Sequence, residues 1–250
     1  MQAIAFLPWV LAALVFTYRK ALGDKARWFP LSCLGAALFG LALSFQVKAN
    51  HPQITYYLAL MILLYVIVMV VWILMDKTRR KSLLGRFFAS SALLLVLGVT
   101  GIATNALRLR PTYESTPYSM RGGSSAASED GSGTKGLDID YATAWSYGWQ
   151  ELPNMLIPDF NGGSSAGAVN PDRSATIDLL RSAGQGNLRE TAKNLPLYWG
   201  PQPFTAGPMY MGAVTIFLFV LGLFFYKGKE KWWLAAATLL AVFLALGSHF

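Results

Sequence analysis

Polar and apolar residues do not alternate along this chain; they separate into blocks. Six stretches run without a charged residue or a histidine, at 3–17, 29–47, 54–74, 87–107, 208–226 and 232–247. Such runs lack both the two-residue period of a half-buried strand and the polar face of a surface helix. A helix needs about 20 apolar residues to cross the ~30 Å hydrocarbon core of a bilayer. In lipid, the backbone must satisfy its own hydrogen bonds, which a helix does within one segment. The pattern therefore predicts an all-α, polytopic transmembrane bundle of about six helices. Four helices with short loops occupy 1–107, a long polar loop region occupies 108–207, and two further helices occupy 208–250.

The first and last blocks are short, and the charges beside the blocks support them. Arg19, Lys20, Lys25 and Arg27 follow the first block, Lys77, Arg79, Arg80, Lys81 and Arg86 the third, and Lys227, Lys229 and Lys231 the fifth. These three loops hold twelve of the 21 basic residues against only Asp24, Asp76 and Glu230. Loops rich in Lys and Arg stay on the cytoplasmic side, so the long loop and both ends of the chain are expected outside. The net charge of +8 is then a matter of topology and gives no reason to expect a nucleic-acid partner. Composition agrees with lipid as the solvent: 54% of residues are hydrophobic and 14% charged, against about 25% charged in soluble domains. Cys33 is the single cysteine and lies within an apolar block, which excludes an internal disulfide framework.

Within the polar region, residues 121–136 (RGGSSAASEDGSGTKG) are Gly- and Ser-rich with no apolar side chain larger than alanine, which reads as a flexible excursion. A short helix is expected over 174–183, capped by Asp172 or Ser174. A region of this size holds a small lid rather than a large catalytic domain.

No phosphate-binding P-loop, dinucleotide-binding glycine pattern, G-x-S-x-G elbow or metal-spaced Cys/His pair occurs in the sequence. The apolar blocks lack the mid-membrane ionisable groups that proton relays and ion-coupled carriers use, which moves candidate chemistry to the outer face. There, Lys48, His51 and Gln53 lie in a polar turn between two helices. The turn is explained either by Asn50 and Pro52 as turn formers or by binding of a substrate or headgroup. Arg108 and Arg110 end the fourth block. With Lys48 they suit a lipid phosphate, while snorkelling and pairing with Glu114 explain the arginines equally well. Three segments, 138–151, 156–165 and 197–208, set aromatics beside carboxylates and amides, the composition of a sugar site. Trp145, Tyr147, Trp149, Tyr198 and Trp199 offer ring faces; Asp140, Glu151, Asp159 and Gln202 offer partners for hydroxyls. The competing explanation is an aromatic belt at headgroup depth.

Four stretches, ANHPQITYY (49–57), DYATAWSYG (140–148), LIPDFNGG (156–163) and YWGPQPFTAGPMYMGA (198–213), give the chain a resemblance to the YfhO family of bacterial membrane proteins. Their order and their placement between the apolar blocks extend the resemblance over nearly the whole chain. It is similar above all to the longer, Bacteroidetes-type members with a dozen or more helices, which makes this chain a middle portion. The resemblance implies the bacterial cytoplasmic membrane and an architecture grouped with type-C glycosyltransferases, which take sugars from polyprenyl-phosphate donors. In such enzymes the catalytic carboxylate usually lies in the first outer loop, upstream of this portion, so no residue here inherits a catalytic role.

The expected function is transfer of a sugar from a lipid-linked donor to an envelope glycopolymer or glycolipid, with no cofactor beyond that donor and a divalent cation left open. The expected binding residues are His51, Gln53, Asp140, Trp145, Tyr147, Glu151, Asp159, Trp199 and Gln202 for substrate, and Lys48, Arg108 and Arg110 for the lipid phosphate. A carrier or flippase for a lipid-linked envelope precursor, or a structural membrane protein, are the alternatives.

Overall fold

A computed structural model describes residues 2–23, 26–115, 139–170, 172–184, 187–205, 207 and 209–250. It divides into two compact units, Met1–Gly136 and Leu137–Phe250. The run at 121–136 lies outside the described residues. Among the described residues there is no strand, only an isolated antiparallel bridge between Gly167 and Leu195.

The first unit contains α1 (Gln2–Leu22), α2 (Trp28–Lys48), α3 (Pro52–Met75), α4 (Arg80–Ala103) and α5 (Ala106–Ser115). α1, α2, α3 and α4 are each long and apolar enough to cross a membrane. Each continues past its apolar block where polar residues can still close helical turns. α1 ends in a turn carrying Arg19 and Lys20, a favourable place for cations against the helix dipole. α4 starts at Arg80, well before Phe87, because Asp76 organises the turn ahead of it. The Asp76 carboxylate accepts from the Thr78 hydroxyl at 2.8 Å and from the Thr78 and Arg79 N–H groups at 3.2 and 3.1 Å. These bonds, the Thr78 hydroxyl first, hold its carboxyl below the usual carboxylate range.

Small residues set the packing of this unit. Ser32, Gly35, Ala36, Phe39, Gly40, Leu43, Gln46 and Val47 form the buried stripe of α2. A Cβ at Gly35 would overlap Thr17 of α1, and one at Gly101 of α4 would overlap the Gly40 carbonyl, so backbones meet here. Close approach of this kind drives helix association in lipid, where apolar surface gains little by burial. Tyr18 stacks on Phe87 at 5.2 Å, and its hydroxyl lies 2.8 Å from Ser91 Oγ. Opposite faces of α3 and α4 keep Leu63, Ile67, Val71, Leu95 and Val99 exposed, as lipid-facing helices do.

Two contacts fix the ends of the bundle. Arg86 donates to the Gly23 carbonyl at 2.8 Å and lies 5.5 Å from the Trp28 ring, joining the α1–α2 connection to the start of α4. At the other end, Asn105 donates to the Ser44 carbonyl at 3.0 Å. The basic connections after α1 and α3 thus share one end, as the charge pattern predicts.

The second unit holds α6 (Ile139–Thr143), a 3-10 helix (Trp149–Met155), α7 (Ala175–Ser182), α8 (Leu188–Thr191), α9 (Ala213–Phe225) and α10 (Glu230–Leu246), closed by a 3-10 turn at Gly247–His249. The expected helix at 174–183 is α7, with Ser174 at its N-cap position but no side-chain capping bond. Ile177, Ala192 and Leu195 form a small core, with Val169, Leu180, Leu188 and Leu197 packed around it. Residues 230–249 are long and apolar enough to span; α9, with 13 residues, is not. At 1.5 Å per residue it covers about 20 Å of a ~30 Å core. The expected block at 208–226 is shortened because Met209–Met211 stay out of the helix and Gly212, at φ 100°, breaks its start.

Candidate functional site

In the second unit, the polar segments fold onto two helix ends. The last carbonyls of α10 have no partner within the helix, and Tyr147 N–H meets that of Ala245 at 2.7 Å. Trp149 Nε1 donates to the His249 carbonyl at 3.0 Å, and Ser248 N–H to Ser146 Oγ at 3.1 Å. Near the start of α9, Met211 N–H meets the Met155 carbonyl at 3.1 Å. The polar segments therefore gather at one end of α9 and α10, opposite the lysines of the 227–231 connection.

Glu151 sits at the centre of this arrangement and is 0% exposed. It occupies the first turn of the 3-10 helix, and Oε2 reaches back to accept the Gly148 N–H at 2.7 Å, as the acidic residue of a capping box does. Gln202 Nε2 donates to the same oxygen at 3.1 Å, and the Tyr198 hydroxyl donates to Oε1. The Tyr198 oxygen accepts the Gln202 N–H at 3.2 Å. Burial first, and then the hydrogen bond to the Glu151 carboxylate, push the Tyr198 phenol up to about 12. Among the described residues the donors to the carboxylate are neutral, and they join residues 148–151 to 198–202.

A second polar pair adjoins it. Asn154 Nδ2 donates to the Glu151 carbonyl at 3.0 Å and to Asn161 Oδ1 at 2.6 Å, while Asn161 N–H returns to Asn154 Oδ1 at 3.1 Å. The Asn161 carbonyl accepts the Trp199 N–H at 3.1 Å. Gly162, at φ 79°, lets the chain pass beneath Trp199: a Cβ there would overlap the Leu197 carbonyl and crowd the indole. Trp199 is left 64% exposed, and Trp145 and Trp149 are also exposed. Trp145 is oriented by donating Nε1 to the Pro203 carbonyl at 3.0 Å and by an edge-on contact with Tyr141 at 5.6 Å. Trp145 and Trp149 are thus oriented through their indole N–H groups, the latter by the His249 carbonyl, and with Trp199 they stay exposed in the unit that buries Glu151.

Of the sugar-site residues predicted from sequence, Glu151 and Gln202 share one network, Trp199 is tied to it through Asn161, and Tyr147 and Trp145 lie on segments bonded to its surroundings. Asp140 is exposed on α6. Asp159 is exposed and, at φ 53°, starts the turn that returns the Gly162 N–H to its carbonyl at 2.9 Å. Glu151 has its carboxylate oxygens engaged within the protein, which makes it a holder of other groups. Asn154 and Asn161 were not predicted; their only sequence signal is a pair of amides flanking the LIPDF stretch. Among the described residues, no three His, Cys, Asp or Glu side chains gather where a metal could sit.

The remaining predicted residues belong to the first unit. Lys48 ends α2, Asn50 turns the chain at φ 50°, and His51 precedes Pro52 at the start of α3, a turn built on the residues expected to form it. Gln53 Nε2 lies 3.4 Å from the Tyr57 hydroxyl one turn on. Arg108 Nη1 donates to the Lys48 carbonyl at 3.0 Å, whereas Arg110 pairs with Glu114 at 2.8 Å. Arg110 thus makes the pair with Glu114, and Arg108 caps the C-terminal end of α2. Beside them, the buried Gln46 accepts from the Thr55 hydroxyl at 3.2 Å.

Comparison with protein-family models, with curated proteins and with solved structures returned no match.

Proposed function

We infer that this chain is a segment of a YfhO-like integral protein of the bacterial cytoplasmic membrane that transfers a sugar from a polyprenyl-phosphate donor to an envelope glycopolymer or glycolipid on the outer face. One observation supports the reading. Segments 148–151 and 198–202 meet on the buried Glu151 carboxylate, Asn154 joins 154–161 to the Glu151 carbonyl, and Trp145, Trp149 and Trp199 stay exposed, the first two oriented by their indole N–H bonds. Three of the stretches that carry the family resemblance meet there. Exposed indoles suit a pyranose, whose C–H face stacks on an aromatic ring.

In this reading Glu151 is a positioning residue: it holds Tyr198 and Gln202, and through that segment sets the angle of Trp199. Within the first unit, Lys48 and Arg108 are the groups suited to a lipid phosphate. The base that deprotonates the acceptor hydroxyl is not assigned to this chain. The test is radiolabelled sugar transfer from polyprenyl-phosphate donors in vesicles containing the full-length protein, with Trp199→Ala and Arg108→Ala variants. Transfer that falls at least tenfold in both variants at normal expression is the expected result. No transfer from any such donor would overturn the reading and favour a carrier.

A further inference from the structure

Residues 194–226 carry no charge, yet only Ala213–Phe225 of that run form the membrane helix α9. Lys227 follows one end of α9, so the length by which the helix falls short of a ~30 Å hydrocarbon core lies at its other end, beside Met209–Met211. Two bonds hold that stretch in place. The Ala213 N–H donates to the Tyr210 hydroxyl at 3.1 Å. The Met211 N–H donates to the Met155 carbonyl at 3.1 Å, which brings the uncharged segment 152–158 alongside. Leu156, Ile157, Met209 and Met211 are all left exposed, Met209 at 78%. An apolar patch continuous with a membrane helix has lipid as its natural neighbour. The turn that follows sets its depth: Asp159 is exposed there, and a carboxylate that is costly in hydrocarbon is at home among headgroups.

Phe204 is an independent observation. Its φ is 49°, a left-handed conformation unfavourable for any residue with a side chain, and it is 96% exposed, so the fold gains almost no packing in return. The turn is nevertheless clamped on both sides. Trp145 Nε1 donates to the Pro203 carbonyl at 3.0 Å, the Ser165 N–H to the Thr205 carbonyl at 2.9 Å, and the Thr205 N–H to Ser165 Oγ at 2.9 Å. Two residues on from Trp145, the Tyr147 N–H holds the Ala245 carbonyl in the last turn of α10. Phe204 is thereby tethered near the level at which α10 ends, where aromatic rings favour the boundary between headgroups and hydrocarbon.

We propose that the end of the second unit away from Lys227 is a lipid-binding surface lying in the headgroup region of one leaflet. Leu156, Ile157, Met209 and Met211 reach into the hydrocarbon that α9 leaves uncovered, and Phe204 is inserted as the anchor. The surface is independent of the sugar-transfer reading, since lipid contact is measured with no donor present.

The experiment uses the full chain with Cys33→Ala in phosphatidylcholine nanodiscs, carrying one nitroxide at a time at Ile157→Cys, Phe204→Cys, Met211→Cys or Ala183→Cys, all at exposed positions. Oxygen collects in hydrocarbon and a nickel chelate in water, so the ratio of their collision rates with the label reads depth. At 157, 204 and 211 this ratio is expected to be at least threefold higher than at 183, which closes α7 two residues after the charged Arg181. Phe204→Gly, which relieves the left-handed strain, should lower the ratio at 157 at least twofold while leaving that at 183 unchanged, a guard against a general folding effect. Ratios at 157, 204 and 211 no higher than at 183 would put the surface in water and overturn the proposal. Low collision rates with both reagents, together with spin–spin broadening, would assign the surface to a second copy of the chain and overturn it as well. An unchanged ratio at 157 in Phe204→Gly would remove Phe204 as the anchor.

Discussion

Tyr198 is the residue on which the second unit's polar centre turns, since it donates to Glu151 and accepts from the Gln202 backbone. Its phenol is pushed up to about 12, above the value of about 10 for an unfolded tyrosine. Below pH 10 the phenol is protonated whether the chain is folded or not, and its contribution to stability is fully present. Between pH 10 and 12 the unfolded state releases the proton first, so that contribution is lost as pH rises. Thermal unfolding followed by tryptophan fluorescence should therefore steepen above pH 10 in the native protein. In Tyr198→Phe the fall should be shallower, and below pH 10 the variant should be less stable by about 1–3 kcal/mol, the cost of leaving a buried carboxylate without one donor. Parallel pH profiles for the two proteins would refute this account. The same residue marks how far side-chain chemistry can be read from sequence. An aromatic in a Trp- and Tyr-rich segment reads as a ring that stacks, and only the fold reveals that Tyr198 acts through its hydroxyl. Asn154 and Asn161 were illegible for a related reason: amides beside Pro and Gly read as turn residues until burial removes that explanation.

At the scale of elements, what decides each helix is whether its neighbours are backbone or lipid. Gly101 faces the Gly40 carbonyl so closely that Gly101→Ala must push α2 and α4 apart, whereas a Cβ at Gly222 in α9 meets nothing within 4 Å. Gly101→Ala should cost about 1–3 kcal/mol as overpacking. Gly222→Ala should be neutral or stabilising by up to about 1 kcal/mol, since alanine is the better helix former. Unfolding in a detergent titration measures both, and equal effects would mean that the α2–α4 contact is looser than described. The contrast also explains which elements were legible beforehand. α1 to α4 were, because long apolar runs with basic flanks have no other stable form in lipid. α9 was read too long, because hydropathy counts Met209, Tyr210 and Met211 as apolar and does not register the positive φ that Gly212 permits. Helix ends set by side-chain bonds, such as the Asp76 turn before α4, lie outside any hydropathy pattern.

For the molecule as a whole, the arrangement of charge makes a claim about sidedness that can be tested without knowing the reaction. In the first unit the connections after α1 and α3 share an end, and in the second the polar segments gather at the end of α9 and α10 away from Lys227. If the basic connections face the cytoplasm, a side chain in the α7 region must face outward. With Cys33→Ala as background, single cysteines at Ala183, Lys77 and Lys227 report this directly. An impermeant maleimide added to intact cells should label the cysteine at 183 and reach those at 77 and 227 only after permeabilisation. Labelling of 77 and 227 in intact cells with 183 protected would invert the topology and place the exposed indoles in the cytoplasm, where an outer-leaflet lipid donor could not reach them. Labelling of both 183 and 227 from outside would mean that α9 and α10 do not form a crossing pair. That outcome bears on α9 most of all, since its 13 residues reach across a bilayer only if the extended stretch before it lies at the interface or the membrane thins around it.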